Sequence, residues 1–200
     1  MNKGLLLVVV SPSGGGKGSI LRQVLAEEER VRFSVSATTR APRPGEEEGV
    51  HYYYRSRAAF EEMIAKEEML EYAQYCGNYY GTPKGPLEAW RKEGYDVVLE
   101  IEVQGTRQVK ALAEDAVTIF ILPPSMEVLS RRLRRRGTES EEVIAGRLET
   151  AKKELQYARY CDYLVENDQL ADAVADVRAI IRAEKSKMNR QKDLLDRWTV

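Results

Sequence analysis

The chain of 200 residues is long enough for one domain with its own hydrophobic core, or for one domain that carries a small insertion. It contains 31 Lys and Arg against 32 Asp and Glu, which gives a formal net charge of −1, and 43% of its residues are hydrophobic. This composition excludes a disordered chain, and the lack of excess positive charge argues against a nucleic-acid coat or a polybasic membrane binder.

Cysteine usage and hydropathy narrow the class of protein further. Cys76 and Cys161 are far apart and belong to no CxxC pair, so we expect neither a zinc knuckle nor a disulfide framework. A reducing cytoplasmic location is the simplest interpretation of two isolated thiols. The apolar run 5–10 is too short to cross a bilayer and lacks the cleavage site of a signal peptide, so no membrane partner is predicted.

Strands and helices are predicted to alternate along most of the chain. Residues 5–10 form a continuous apolar run rich in β-branched side chains, which is typical of a central parallel strand buried on both faces. Leu21, Val24 and Leu25 then follow at helical spacing. Further strands are predicted over residues 97–103, 117–122 and 162–165, each followed by a helical pattern. This alternation predicts an α/β fold with a parallel sheet and helices on both faces.

Two segments interrupt that alternation. Residues 36–91 are rich in Arg, Pro, Gly, Tyr and Glu and contain only short strand-like pieces, which indicates an inserted lobe. The highly charged helical pattern of residues 136–155 predicts a lid over a ligand. The predicted organisation is a single folded unit whose core consists of residues 1–35, 92–135 and 156–200. The stretch 185–200 is expected to pack either on the rest of the core or on a second subunit, so a homodimer stays open.

A glycine loop, Ser-Pro-Ser-Gly-Gly-Gly-Lys-Gly-Ser over residues 11–19, lies between the first predicted strand and helix. Its glycines would let successive backbone N–H groups converge on one anion, and the helix N-terminus would add a favourable dipole. Lys17 could follow the β- and γ-phosphates of a nucleotide, and the Ser19 hydroxyl could bind Mg²⁺. The loop departs from the pattern GxxxxGK[ST], because Ser11 replaces the opening glycine and Gly18 separates Lys17 from Ser19. The alternative interpretation is a glycine-rich turn without a ligand.

Several segments together resemble the guanylate kinase family. They are the glycine loop and, in family order, residues 33–46, 77–81, 99–105, 123–125 and 136–139, followed by Arg147. The similarity runs from about residue 4 to about residue 185. It implies a P-loop nucleoside monophosphate kinase fold with a parallel-sheet core, an inserted GMP-binding lobe and a helical lid. The implied reaction transfers the γ-phosphoryl group of ATP to GMP or dGMP, with Mg²⁺ arriving with ATP.

The inserted lobe carries two arginines and two tyrosines that suit a phosphate. Arg40 and Arg43 flank Pro42, a spacing that could bring both guanidinium groups to one phosphate, which Arg binds in bidentate fashion. Tyr52 and Tyr80 offer neutral hydroxyl donors. The resemblance implies that these four side chains hold the GMP phosphate. The alternative is a solvated arginine turn with two tyrosines in the core.

Recognition of guanine needs a different group. Guanine presents N1–H and the 2-amino group as adjacent donors that one carboxylate can accept, whereas adenine has an acceptor at N1. The resemblance implies that Glu71 is this carboxylate and that Ser36 and Thr82 bind around O6 and N7. Without the resemblance, Glu71 would be interpreted as an ordinary exposed strand residue.

A pair of glutamates follows the second long apolar run. Glu100 and Glu102 are two residues apart on a predicted strand and therefore share a face near its carboxyl end, where open α/β sheets bind ligands. The resemblance places both at the GMP site, and Glu100 could also approach Mg²⁺ through water. The family usually carries Asp where this chain has Glu102. The alternative is a solvated edge strand.

The resemblance also implies which residues bind ATP and stabilise the transition state. Arg136 and Arg147 would reach the phosphates from the lid, and Asn167 would lie near the adenine, whereas residues 131–135 receive no catalytic role. The implied ATP site comprises Ser13, Gly14, Gly15, Gly16, Lys17, Gly18, Ser19, Arg136 and Asn167. The implied catalytic residues are Lys17, Arg40, Arg136 and Arg147.

Two other functions remain open from the sequence. A guanylate-kinase-like interaction module would usually have a degraded phosphate loop, but this chain keeps the cation and the hydroxyl of that loop. A kinase of another phosphate ester, such as a ribosyl bisphosphate, should lack the base-reading set of Ser36, Glu71 and Thr82. The expected partners are therefore ATP and GMP or dGMP, without nucleic acid.

Overall fold

The computed structural model of the protein describes residues 2–101, 103–135, 140–191, 194 and 196–198. Five of the described strands are β1 (Leu6–Val10), β2 (Val31–Phe33), β7 (Asp96–Glu100), β8 (Val117–Leu122) and β9 (Tyr163–Glu166). They form one sheet in the order β2-β7-β1-β8-β9, and all of its neighbouring strands are parallel. The predicted α/β fold with a parallel sheet is confirmed.

Seven described α-helices surround the strands. They are α1 (Lys17–Glu27), α2 (Arg57–Ala65), α3 (Lys84–Lys92), α4 (Val103–Leu112), α5 (Met126–Arg135), α6 (Glu141–Leu155) and α7 (Leu170–Lys185). Two short 3₁₀ turns occupy Ala158–Tyr160 and Met188–Arg190.

Strand β1 occupies the centre of the sheet because all five of its side chains are apolar and fully buried. Successive side chains of a strand point to opposite faces. Leu7 therefore packs in the cluster that includes Val24 of α1 and Val177 of α7, whereas Val8 packs with Val109 of α4 on the other face. Helices on both faces leave the carboxyl edge of the sheet open for a ligand.

A second, smaller sheet lies in the segment predicted to be an inserted lobe. Its strands are β3 (Ala37–Thr38), β4 (Tyr53–Tyr54), β5 (Met69–Tyr75) and β6 (Asn78–Pro83), in the order β4-β3-β6-β5. The long hairpin β5–β6 turns at Cys76 and Gly77, whose φ angles of 48° and 77° suit a tight reversal. Phe60 of α2 is fully buried against this sheet and stacks on Tyr79 at 5.1 Å between ring centroids.

Helices α5 and α6 pack on each other through a small apolar cluster of their own, formed by Leu129, Leu133, Ile144 and Ala151. Ser140 caps the start of α6, because its hydroxyl accepts a hydrogen bond from the backbone N–H of Val143. Helix α6 makes up most of the segment predicted to be the lid, 136–155.

One strand ends earlier than the sequence pattern predicts, and one helix in the segment predicted to be the lobe packs on the core. The strand predicted over residues 97–103 ends at Glu100, and Val103 already belongs to α4. The pattern of apolar residues alone does not show where a strand ends and where the first turn of the following helix begins. Helix α3 lies at the end of the segment predicted to be the lobe, 36–91, yet its Leu87 packs in the core cluster beneath the main sheet. The exact division into core, lobe and lid remains a prediction.

Arg91 of α3 is a charged residue in this core, with 1% of its surface exposed. Its Nε donates to the carbonyl of Gly4 at 3.0 Å, and Nη1 donates to Glu88 at 3.0 Å. Nη2 also meets the carboxylate of Asp115. One side chain thus joins α3 to the segment before β1 and to the segment before β8, which explains why a buried guanidinium is tolerated.

We predict that Arg91→Ala lowers the free energy of unfolding by about 3 kcal/mol, since the Gly4 carbonyl would stay buried without its donor and a cavity would form. Chemical denaturation of both proteins measures this difference. Arg22→Ala, at an exposed position of α1, serves as the control and should change stability by less than about 0.5 kcal/mol. Equal unfolding midpoints for the two variants would contradict the role given to Arg91.

Candidate active site

The glycine loop joins β1 to α1, and its shape requires glycine at two positions. Gly14 and Gly16 have φ angles of +91° and +97°, in the left-handed region that L side chains rarely adopt. A Cβ atom on Gly16 would lie 2.0 Å from Nδ2 of Asn167, and one on Gly14 would lie 2.9 Å from a methyl group of Leu133. Packing against α5 and Asn167 therefore sets the backbone of the loop.

The glycine loop runs into the N-terminus of α1, and several of its residues there are exposed. Ser13, Gly18 and Ser19 are exposed, and a Cβ atom on Gly18 would meet nothing within 4 Å. Gly16 occupies the N-cap position and supplies no capping side chain to the first turn of the helix. Backbone N–H groups at a helix N-terminus attract anions, so the predicted phosphate-binding residues are brought together in a suitable place.

Asn167 follows β9 and is buried, with 6% of its surface exposed. Its Nδ2 donates to the carbonyl of Gly15 at 2.8 Å, and its backbone N–H donates to the carbonyl of Leu122 at 2.7 Å. The side chain that the sequence predicts near adenine thus braces the glycine loop. Its contact with ATP stays a prediction.

Arg132 of α5 is an additional residue at this loop that sequence reasoning left without a role. Its Nη2 donates to the backbone carbonyl of Asn167 at 2.8 Å. Its Nη1 is buried and has no hydrogen-bond partner among the described residues. Arg132 is three residues from Leu129 and next to Leu133, so it borders the buried stripe of α5. That position was the available signal, but the run of five arginines concealed it.

The lid helix reaches the loop through Arg147, whose Nη1 donates to the hydroxyl of Ser13 at 2.8 Å. These two predicted ATP-site residues are 134 positions apart in the sequence and are brought together by the fold. Arg136, the other arginine predicted to act from the lid, lies outside the described residues. The Arg147 contact places one lid cation where a phosphate on the loop could meet it.

Lys17 starts α1 and points towards the carboxyl end of β7. Its Nζ lies 3.6 Å from Oε1 of Glu100, with 18% of the lysine side chain and 46% of the glutamate side chain exposed. The exposed carboxylate makes this a weak ion pair that solvent screens. Glu100 thus lies beside the glycine loop, and Glu102 lies outside the described residues.

A magnesium ion that arrives with a nucleotide would find suitable oxygen atoms here. Mg²⁺ usually keeps several waters and takes one or two protein ligands together with substrate phosphates. The exposed hydroxyl of Ser19 and the half-exposed carboxylate of Glu100 are oxygen donors of the kind that this requires. Within the described part of the chain, no group of three or more His, Cys, Asp or Glu side chains could hold a metal ion.

Three of the four residues predicted to hold the GMP phosphate meet in the lobe. The guanidinium of Arg40 lies 5.5 Å from the ring of Tyr52 and contacts the hydroxyl of Tyr80. The rings of Tyr52 and Tyr80 are 6.1 Å apart, edge to face. Arg43 is exposed three residues further along the chain. The lobe thus presents a cation and two phenol groups at one place, as a phosphate site requires.

Glu46 holds this cluster, a role that sequence reasoning did not assign to it. It accepts two hydrogen bonds from Arg40, at 2.9 and 3.0 Å. It also accepts one from the backbone N–H of Arg43 at 2.7 Å and one from the Tyr54 hydroxyl at 2.8 Å. These donors, Arg40 first, lower the pKa of Glu46 to about 2, and the hydrogen bonds to the Glu46 carboxylate in turn raise the pKa of Arg40. Residues 43–46 form a turn, and a predicted turn here was the available signal that Glu46 lies close to Arg40 and Arg43.

Glu71 is a buried carboxylate on β5, with 7% of its surface exposed. Burial raises its pKa, while a 2.7 Å hydrogen bond from the Thr82 hydroxyl partly opposes that shift. Glu71 and Thr82 are directly opposed on strands β5 and β6, so the two predicted base-reading residues are brought together. Ser36, the third, precedes β3 and pairs through its backbone carbonyl with Tyr53. Buried ionisable groups of this kind concentrate at functional sites.

Comparison with known proteins agrees with this geometry. The family model described as "Guanylate kinase" matches residues 3–184. A guanylate kinase of Desulfitobacterium hafniense is 51% identical over 95% of this chain and 95% of its own length, and one of Clostridioides difficile is 46% identical over 98% and 95%. The solved guanylate kinase of Anaplasma phagocytophilum is 34% identical, covers 95% of this chain and 90% of its own, and superposes with a TM-score of 0.74.

The chain belongs to the guanylate kinase family. Membership confirms the resemblance stated from the sequence motifs and the P-loop nucleoside monophosphate kinase fold that it implied. None of the described helices of this guanylate kinase family member is long and apolar enough to cross a membrane. The cytoplasmic location and the homodimer remain predictions.

The unusual pKa of Glu46 gives a test of the phosphate cluster. With a folded pKa of about 2 against an ordinary 4.5, the carboxylate stabilises the fold above about pH 4.5 and loses this effect as the pH falls towards 2. We predict that the side-chain carboxyl ¹³C signal of Glu46 is still in its ionised position at about pH 3, where ordinary glutamates are protonated.

Two variants serve as controls for that titration. Arg40→Met removes the largest cause of the shift and should raise the Glu46 midpoint strongly, whereas Tyr54→Phe removes a smaller one and should raise it less. A Glu46 midpoint in wild type that equals the midpoint in Arg40→Met would show that the bidentate pair does not form in solution.

Proposed function

We propose that this protein is an ATP:GMP phosphotransferase, which converts ATP and GMP, or dGMP, into ADP and GDP or dGDP. The observation that carries the proposal is the buried Glu71 carboxylate with Thr82 beside it, in a chain that also has a nucleotide-type glycine loop at the start of α1. Burying a carboxylate costs free energy, and a ligand that donates two hydrogen bonds to it would recover that cost.

Guanine supplies those two donors on one edge. Its N1–H and 2-amino group would bind the carboxylate of Glu71, while Thr82 and Ser36 would meet the O6 and N7 side of the base. Adenine would place its N1 lone pair against the carboxylate, which is repulsive. Because one partner of the guanine pair is ionised, the discrimination should be strong.

The GMP phosphate would bind Arg40, Arg43, Tyr52 and Tyr80. Glu46 fixes Arg40 by two hydrogen bonds and leaves part of its donor fork for a ligand. Arg has five N–H donors, so a carboxylate on one side and a phosphate on the other can both be satisfied. Glu100, next to Lys17, would lie between the two substrates.

The ATP phosphates would bind the amides of the glycine loop and the Lys17 ammonium group. Arg147, and with it Arg136, would approach these phosphates from the lid. Arg132 would offer ATP its buried Nη1 group, which lies beside Asn167. Mg²⁺, held through Ser19 and through water by Glu100, would neutralise phosphate charge when it binds with ATP.

Transfer itself needs positioning and charge stabilisation more than proton chemistry. An ionised phosphate oxygen of GMP would attack the γ-phosphorus in line, a new P–O bond would form, and the bond from the γ-phosphorus to the bridging oxygen of ADP would break. The charge that spreads over the transferred group would be stabilised by four cationic side chains, those of Lys17, Arg40, Arg136 and Arg147.

We infer that the lobe, 36–91, and the lid, 136–155, close over the core to exclude water.

The test is a coupled assay of ADP formation with Mg·ATP and each of GMP, dGMP, IMP, AMP, CMP and UMP. We expect turnover with GMP and dGMP far above the rest. Lys17→Ala should lower kcat for GMP by about a thousandfold, because the transferred phosphate loses its cation. A folded wild-type protein without GMP turnover would overturn the proposed function, and near-wild-type kcat in Lys17→Ala would overturn the assignment of the loop.

Glu71→Gln should separate base recognition from stability. We expect kcat/KM for GMP to fall about a hundredfold, because an amide cannot accept both guanine donors. The folded protein should meanwhile become more stable at pH 8, since the raised pKa of Glu71 means that its ionised form destabilises the fold.

The stability gain should shrink as the pH falls through the raised pKa, where wild-type Glu71 becomes neutral as well. Thermal unfolding at pH 8 and at pH 4.5, together with the assay, measures both effects. Unchanged discrimination between GMP and AMP in Glu71→Gln would contradict the role of this carboxylate.

A further inference from the structure

Strand β5, which carries Glu71, forms an outer edge of the lobe sheet, because the strand order there is β4-β3-β6-β5. Its inner edge pairs with β6, and Tyr72 on β5 is opposed to Gly81. The outer edge of an edge strand has backbone N–H and C=O groups that no other strand binds. A side chain that binds these groups can fix where the strand lies.

Gln108 of α4 binds that outer edge at the residue that follows Glu71. Its Oε1 accepts from the backbone N–H of Tyr72 at 3.2 Å, and its Nε2 donates to the backbone carbonyl of Tyr72 at 3.4 Å. One amide side chain thus makes the same two hydrogen bonds that a neighbouring antiparallel strand would make to Tyr72.

One turn earlier, α4 also meets the carboxylate itself. A Cβ atom on Gly105 would lie 3.0 Å from Oε2 of Glu71 and 3.2 Å from Cδ1 of Ile101. The missing side chain at Gly105 leaves the space that the Glu71 carboxylate occupies. Gly105 and Gln108 lie three residues apart, so they share one face of the helix.

Helix α4 is in turn fixed to the core. Val109 is fully buried in the main hydrophobic cluster, and Nζ of Lys110 lies 2.7 Å from a carboxylate oxygen of Asp162. Asp162 also accepts hydrogen bonds from the backbone and the side chain of Thr118 on β8. The position of α4, and hence of Gln108, is therefore set by the central sheet.

We propose that Gln108 is a positioning residue for base recognition, which holds β5 on α4 so that the Glu71 carboxylate stays aligned with the guanine edge. This inference rests on the proposed function and adds a residue that does not touch the substrate. A hydrogen-bonded carboxylate discriminates bases only while its orientation is fixed, so loosening β5 should affect guanine more than a base with fewer donors.

Comparison of GMP with IMP tests this inference, because IMP keeps N1–H and lacks the 2-amino group. We expect Gln108→Met, which keeps the volume and loses both hydrogen bonds, to raise KM for GMP about fivefold. KM for IMP should rise less, so the preference for GMP over IMP should fall, while KM for ATP stays at the wild-type value. A role in folding alone would not change one base and spare the other.

A second variant and a control complete the experiment. Gly105→Ala would place a methyl group against Glu71 and should also reduce the preference for GMP over IMP. Gln74→Ala, at an exposed position of the same strand, should keep all three KM values. Wild type without GMP turnover would overturn the proposed function, whereas active wild type with an unchanged GMP-to-IMP ratio in Gln108→Met would overturn only the role of Gln108.

Discussion

Close packing of the glycine loop is the constraint on which the rest of the site depends. Leu133 of α5 packs against Gly14, and Asn167 packs against Gly16, so neither position has space for a side chain. The same asparagine hydrogen-bonds Gly15, and Arg132 hydrogen-bonds the asparagine. The predicted phosphate site is therefore held by the core, so binding of a nucleotide there should need little reorganisation.

The cations of the site are held in place by partners that phosphate can join or replace. Arg40 is paired with Glu46, Lys17 lies near the half-exposed Glu100, and Arg147 binds the hydroxyl of Ser13. This arrangement makes a net charge of −1 compatible with the proposed site for two polyanions. Acidic and hydroxyl partners thus balance the charge of these cations and orient them.

The proposed base recognition depends on a different arrangement, a carboxylate that is buried away from water. Burial raises the pKa of Glu71, and Thr82 is the donor that moderates the cost. Helix α4 connects this carboxylate to the rest of the protein, because its Gly105 faces Glu71 and its Lys110 is bound to Asp162. Helix α4 thus contacts both the lobe and the core at the predicted base-binding end.

The sequence by itself determined the parallel sheet and the glycine loop, because each is encoded in a continuous local pattern. Family motifs added Arg40 and Glu71, and the structure brings each of them to suitable partners. Only the tertiary structure decided that Arg132 and Gln108 have roles, since their partners lie 35 and 36 positions away. Residue spacing carries information about one element at a time, and contacts between distant elements exist only after the core has packed.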